Sequence, residues 1–270
     1  MAARIVAVFT LAAFLIAALA AGLIGAFAGF GQWSVPLLVV LGLALDALLL
    51  CGVFERRAPI FGRIFWRGPR DAKVLSLTFD DGPNEPYTSQ VLDLLKASGI
   101  SATFFVLGEN ARRFPDAVRR ALEEGHEIGN HGYDHTVLPL RSSQYIRDQI
   151  ARTADLIERI AGARPRLFRA PHGWRNPWFA RAVRSAGCIP VAWTLGVWDT
   201  DRPGRDAIVE RSVKGLAPGC LLLLHDGRGS EQGADASQMV EALPAVIERA
   251  RAAGYSFLTV SGMMEKAGRA

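Results

Sequence analysis

Two long apolar stretches open the chain, and beyond them short apolar runs alternate with helical patterns. Residues 5–30 contain no charged side chain, and residues 35–54 contain only Asp46. Each run matches the roughly 20 apolar residues that cross a bilayer as a helix, so the pattern predicts two N-terminal transmembrane helices. A signal peptide cleaved near Ala18-Leu19-Ala20 is the competing reading of the first run, which nevertheless continues past that site. Asp46 in the second run suits a contact with a partner helix, a polar functional site or a protonated carboxyl. From residue 73 the runs predict strands at 73–79, 102–106, 127–129, 167–169, 189–195, 220–224 and 256–260. Helical periodicity falls between them at 87–97, 115–124, 142–160, 177–186, 205–214 and 237–252. Asn176-Pro177 reads as a helix start, and Gly99, Gly125, Gly187 and Gly254 sit where helices should stop. Strands alternating with helices imply a parallel α/β sheet closed into a barrel.

Composition and charge then divide the 270 residues. Residues 1–57 read as a membrane anchor, 58–71 as a basic juxtamembrane linker and 72–270 as the domain of ordinary globular composition. Arg4 precedes the first apolar run, while Arg56, Arg57, Arg63, Arg67, Arg70 and Lys73 follow the second. That bias predicts both ends on the cytoplasmic side of a bacterial inner membrane, with the 72–270 domain facing the cytoplasm. The net charge of +5 owes much to the segment after residue 55, which suits contact with anionic membrane lipid. No stripe of Lys and Arg interleaved with aromatics appears in the remainder, so nucleic acid is not an expected partner. Cys51, Cys188 and Cys220 lack metal or disulfide spacing, and their apolar neighbours predict buried thiols.

The chemistry concentrates at the predicted strand ends. Thr78-Phe79-Asp80-Asp81-Gly82-Pro83 follows the first strand, so a turn holds two adjacent carboxylates there. Like charges so close need a positive partner, and a metal ion is the obvious one. His131-Gly132-Tyr133-Asp134-His135 supplies two imidazoles. One carboxylate with two imidazoles leaves a divalent ion open to water, and the second carboxylate is then free to act as a base. Arg169, Asp199 and His225 fall at the ends of later strands, the end at which parallel α/β barrels assemble active sites. His126 lacks a ligand-spaced partner and reads as structural, and Asp134 reads as a capping or supporting residue. Trp174, Trp178, Trp193 and Trp198 fall near loops, where core packing and the lining of a sugar groove both fit. The Gly-rich loop at 227–236 is placed to shape such a groove.

Taken in order, the motif at 78–83, His131…His135, Arg169-Ala170-Pro171-His172-Gly173 and Leu223-Leu224-His225 resemble those of the NodB-homology polysaccharide deacetylases, carbohydrate esterase family 4. The resemblance covers about residues 72 to 262. It implies a distorted (β/α)7 barrel that removes N-acetyl groups from amino sugars in a polysaccharide, glycolipid or lipid-linked precursor. Alternatives are O-acetyl ester cleavage, deformylation and a non-catalytic carbohydrate-binding relative. It further implies Asp81, His131 and His135 as metal ligands, Asp80 as general base, Arg169 as its orienting partner and His225 as general acid. Pro171, His172, Gly173, Trp193, Asp199 and Leu223 become the expected substrate contacts, with Leu223 at the acetyl methyl and Asp199 or Asp226 tuning His225. The implied cofactor is one divalent metal; zinc suits the ligands, and cobalt, nickel, manganese and iron accept similar ones. The chain departs from the family at His172, where a Tyr is usual. It departs again at 193–201, which replaces the usual fourth motif, and at Gly132-Tyr133-Asp134, where small hydroxyl residues are common.

Overall fold

The computed structural model describes residues 34–162 and 164–268. Its centre is β1 (Val74–Asp80), buried along its whole length. Parallel strands covered on both faces carry continuous apolar runs rather than alternating ones, which is why β1 is legible as Val74-Leu75-Ser76-Leu77. Around it stand β2 (Thr103–Val106), β3 (Glu127–Asn130), β4 (Leu167–Arg169), β5 (Ile189–Val191), β6 (Leu195–Gly196), β7 (Cys220–His225) and β8 (Ser256–Phe257). The order is β5-β4-β3-β2-β1-β7-β6, with β8 also on β1, and every named pairing is parallel.

This sheet curls as an incomplete barrel, open between β5 and β6. The single strand expected at 189–195 is therefore two, on opposite edges. Thr194 breaks the run: its hydroxyl donates to the Trp66 carbonyl at 2.7 Å and accepts the Leu221 amide at 3.1 Å. The segment expected as a linker fills the opening. Phe65 donates to the Pro190 carbonyl at 2.9 Å and accepts the Ala192 amide at 2.8 Å, and Gly68 donates to the Gly219 carbonyl at 2.8 Å.

The helices are α1 (Ser34–Phe54), α2 (Tyr87–Ser98), α3 (Gly108–Arg113), α4 (Pro115–Glu123), α5 (Ser143–Ala161), α6 (Phe179–Ser185), α7 (Arg205–Lys214), α8 (Ser237–Ala252) and α9 (Val260–Lys266). α5 starts where Ser142 Oγ accepts the Tyr145 amide at 3.1 Å. It stops at Gly162, whose φ of 68° belongs to the left-handed region. The strand expected at 256–260 gives way to α9 because Thr259 caps that helix, accepting the Gly262 amide at 3.2 Å. The main core joins Leu75, Leu77 and Phe79 to Phe104, Leu222 and Leu224 and to the inner faces of α2 and α8.

Two expectations about the amino-terminal region are corrected. Among the described residues no helix is long and apolar enough to cross a membrane. The run at 5–30 lies outside the described residues. The second run does form α1, but its last turns pack on the barrel: Val53 is fully buried and meets Phe61, Leu49, Phe54 and Trp174. Arg175 fixes that end by donating to the carbonyls of Glu55 at 2.5 Å and Ala58 at 3.3 Å. The undocked part, from Ser34 to Leu48, rises about 22 Å at 1.5 Å per residue, short of the roughly 30 Å hydrocarbon layer. The two-span anchor, and the integral inner-membrane placement drawn from it, are not supported. A smaller correction concerns Cys51, expected buried and found exposed; Cys188 and Cys220 are buried and free.

Candidate active site

The carboxyl ends of β1, β3, β4 and β7 bring the acidic and basic side chains together. Asp80 ends β1 and Asp81 follows it, and both are buried. Asp81 has a φ of 72°, a left-handed conformation that Asp tolerates better than most residues. Asn110 on α3 holds it there, donating from Nδ2 to the Asp81 carbonyl at 2.7 Å and to the Gly229 carbonyl at 3.0 Å. Asp81 Oδ1 lies 3.4 Å from His131 Nε2 and 3.1 Å from His135 Nε2. It nevertheless has no hydrogen-bond partner.

His131 explains that orphaned oxygen. Its Nδ1 is 2.9 Å from the Arg169 carbonyl, which can only accept, so Nδ1 carries the proton. Nε2 then directs a lone pair at a carboxylate oxygen. Such an arrangement is repulsive unless a cation sits between the two. The ligand atoms of Asp81, His131 and His135 all lie within 4.8 Å of one another. The donor set of one carboxylate and two imidazoles therefore fits a divalent transition ion.

Arg169 is fully buried at the end of β4. Its Nη1 donates to Asp80 Oδ1 at 2.6 Å and to Thr78 Oγ1 at 2.9 Å, and its Nη2 to the Ala192 carbonyl at 3.1 Å. The guanidinium carbon stacks 4.0 Å from the centre of the Phe105 ring. Asp80 Oδ2 is left facing the ligand cluster, 3.7 Å from His131 Nε2.

His225 ends β7. The Asp199 carboxylate takes both of its donors: the amide at 2.7 Å and Nδ1 at 2.9 Å. Burial alone would push the imidazolium down, but the Asp199 charge and hydrogen bond outweigh it and raise His225 to about 9. Asp226, the other carboxylate considered for this role, turns away and accepts from Thr88 Oγ1 at 2.5 Å. Burial pushes Asp226 up to about 7. Burial also holds His135 down at about 4.

The expected substrate contacts divide. His172 follows β4 in a left-handed conformation, with its ring 4.5 Å from that of His135 and 5.1 Å from that of Trp174. Trp193 packs so closely on Gly173 that a Cβ there would meet its ring at 2.5 Å. Leu223 sits on β7 beside Thr78 and is buried, and Pro171 is buried after β4. Trp178 and Trp198 are exposed. His126 is structural, its Nδ1 accepting the Ala102 amide at 3.2 Å. Asp134 supports the loop, accepting from Thr136 and Gln149. Sequence reasoning missed Asn110, Thr88 and Asn84. Asn84 ties the β1 loop to the β7 loop by donating to the carbonyls of Asp226 at 3.0 Å and Ala234 at 2.8 Å. Nothing in their spacing marks them, because each acts through backbone atoms or a buried neighbour.

Acid–base side chains grouped around an Asp/His/His cluster, at the carboxyl ends of a parallel β/α sheet, are the apparatus of a hydrolase. A sequence profile described as polysaccharide deacetylase matches residues 67–191. The peptidoglycan-N-acetylglucosamine deacetylase of Bacillus cereus is 37% identical over 208 residues, spanning 75% of this chain and 93% of that protein. The chitooligosaccharide deacetylase of Rhizobium leguminosarum bv. trifolii is 35% identical over 212 residues, spanning 75% of this chain and 97% of its own. A crystal structure of a peptidoglycan N-acetylglucosamine deacetylase bound to 4-naphthalen-1-yl-N-oxidanyl-benzamide superposes with a TM-score of 0.69 at 33% identity, covering 74% of this chain and 92% of the other. The chain belongs to the NodB-homology polysaccharide deacetylases, carbohydrate esterase family 4. It is a hydrolase of carbon–nitrogen bonds other than peptide bonds.

Proposed function

We propose that this chain removes N-acetyl groups from amino sugars of a glycan, using Asp81, His131 and His135 to hold one divalent ion. The observation that carries the reading is the buried Asp81 Oδ1, which faces two imidazole nitrogens without a hydrogen bond. Zinc suits the donor set. When bound, the ion would supply a Lewis acid for an amide carbonyl and acidify water. Asp80 takes a proton at Oδ2, because Oδ1 is committed to Arg169. Arg169 orients that carboxylate through its Nη1. His225 has Nδ1 committed to Asp199, so Nε2 is the nitrogen left to protonate the departing amine. His172, Gly173, Trp193 and Leu223 are the proposed walls of the sugar and acetyl site, with Pro171 setting the turn that carries His172. The relatives named above act on peptidoglycan N-acetylglucosamine and chitooligosaccharide. Oligomers of N-acetylglucosamine are therefore the first substrates to try.

The test measures acetate and free amine released by the full chain, loaded with zinc, from chitooligosaccharide and from peptidoglycan fragments. Equal yields of acetate and amine support N-deacetylation. Acetate without amine from an O-acetylated glycan, or no product from any amino sugar at one bound zinc per chain, overturns it.

A further inference from the structure

A second site lies where the segment before β1 meets the end of α9. A groove of about 480 Å³ runs there, lined by Arg57, Arg63, Arg67, Arg70 and Lys266. The acidic side chain on its wall is Asp71. Arg57 and Arg67 each spend a donor on a backbone carbonyl, of Thr194 at 3.2 Å and Pro218 at 3.1 Å. Among the described residues none of the five cations forms an ion pair. The residues preceding Ser34 contain no Asp or Glu to neutralise them. Trp66 contributes an aromatic wall and sits 5.2 Å from the Arg57 guanidinium carbon, which fixes that fork in place.

Cations crowded around one concavity repel one another, and a multivalent anion relieves the repulsion in one step. A lone carboxylate would neutralise only one of them. A phosphate group offers more charge and three acceptor oxygens, and guanidinium forks match it in pairs. We infer that this groove binds a phosphate-bearing anion, a diphosphate or a row of phosphodiesters, at a site separate from the catalytic cluster. Its Pro69–Asp71 wall precedes β1, whereas Asp80 ends that strand and Asp81 follows it. Seven residues at about 3.3 Å each put roughly 20 Å between the two. The same chemistry is offered by a soluble phosphorylated glycan and by lipid headgroups.

The experiment titrates the full chain with inorganic diphosphate by calorimetry. It compares the parent with Arg63→Glu/Arg70→Glu and with Asp81→Asn. The expected result is saturable binding that weakens as chloride rises, falls at least tenfold in the double variant and persists in Asp81→Asn. Co-sedimentation with phosphatidylglycerol and with phosphatidylcholine vesicles separates the sources. Retention on the first alone, lost in the double variant, assigns the site to headgroups; diphosphate binding without retention assigns it to soluble phosphates. Both outcomes support the groove. Acetate release from a short amino-sugar oligomer should be unchanged in the double variant, which also reports that it folds. If the double variant fails to fold, Arg63→Ala/Lys266→Ala takes its place. Diphosphate binding lost only in Asp81→Asn would put the anion at the catalytic cluster and overturn the inference. Absence of binding to both probes overturns it as well.

Discussion

Replacing Asp199 with Asn isolates what sets the acid strength of His225. The carboxylate accepts two hydrogen bonds from one residue, at 2.7 Å from the amide and 2.9 Å from Nδ1. An Asn keeps one acceptor and turns its NH2 toward the other donor, so one buried donor loses its partner, at a cost of about 1–3 kcal/mol. The larger effect is electrostatic. Burial lowers His225, and the Asp199 charge and hydrogen bond reverse that, raising it to about 9. Without Asp199 the imidazole returns toward or below its ordinary value of about 6.5. At pH 8 the protonated fraction then falls from about nine in ten to about one in thirty, a roughly thirtyfold loss of kcat/KM if that proton is the one given to the leaving amine. A bound divalent ion would offset the pull of Asp81 and Asp80 on His225 and shift parent and variant alike, leaving their separation to Asp199. The sign for stability follows from the raised value. The pair stabilises the fold fully below about 6.5 and loses that contribution as pH rises through about 9. The assay is acetate release across pH 6 to 10, with the His225 ring titrated by NMR. An alkaline limb that stays in place in Asp199→Asn would refute the assignment of His225 as the acid held by Asp199.

Three further outcomes are expected. Asp81→Asn should reduce bound zinc from one per chain toward none by elemental analysis, and chelation of the parent should abolish acetate release until zinc is restored. Arg169→Met should destabilise the fold by about 3–5 kcal/mol in urea titrations, since it leaves the Asp80 carboxylate buried without its cation. Should the variant match the parent's midpoint, the Asp80–Arg169 pair does not carry that stability. Asn110→Ala removes the two donors that hold the Asp81 and Gly229 carbonyls. It should weaken zinc binding by about tenfold in competition with a chelator, as supporting groups around metal ligands commonly do; unchanged affinity would make Asn110 a packing residue only.

The catalytic strands were legible because the forces that shape them are local. β1 and β7 are continuous apolar runs buried on both faces, and the polar motif follows each without a gap. His131, His135, Arg169 and His225 fall on one end of the sheet because each ends or follows a strand, which sequence spacing records. The partner of His225 was not legible, since Asp199 and Asp226 are both close in sequence to polar strand ends. Only the fold turns Asp226 toward Thr88 and Asp199 toward His225. The apolar run at 35–54 misled for a related reason. Hydropathy counts side chains but not what covers them, and the end of α1 is covered by Phe61 and Trp174 rather than by lipid.

Charge balance supports the proposed metal more strongly than ligand spacing does. Asp80, Asp81, Asp199 and Asp226 are all buried near one another at the strand ends. Arg169 compensates Asp80, and the raised His225 compensates Asp199. Asp226, pushed up to about 7, can shed its charge by keeping a proton. Asp81 has no such escape. Its Oδ1 is buried, 3.4 Å from His131 Nε2 and 3.1 Å from His135 Nε2, and accepts no hydrogen bond. His135 is itself kept neutral by burial. One negative charge is thus left facing two lone pairs, in a position too buried for water to screen. A protein interior keeps such a charge when a cation belongs beside it, which favours the proposed ion over a polar knot that merely packs the barrel end.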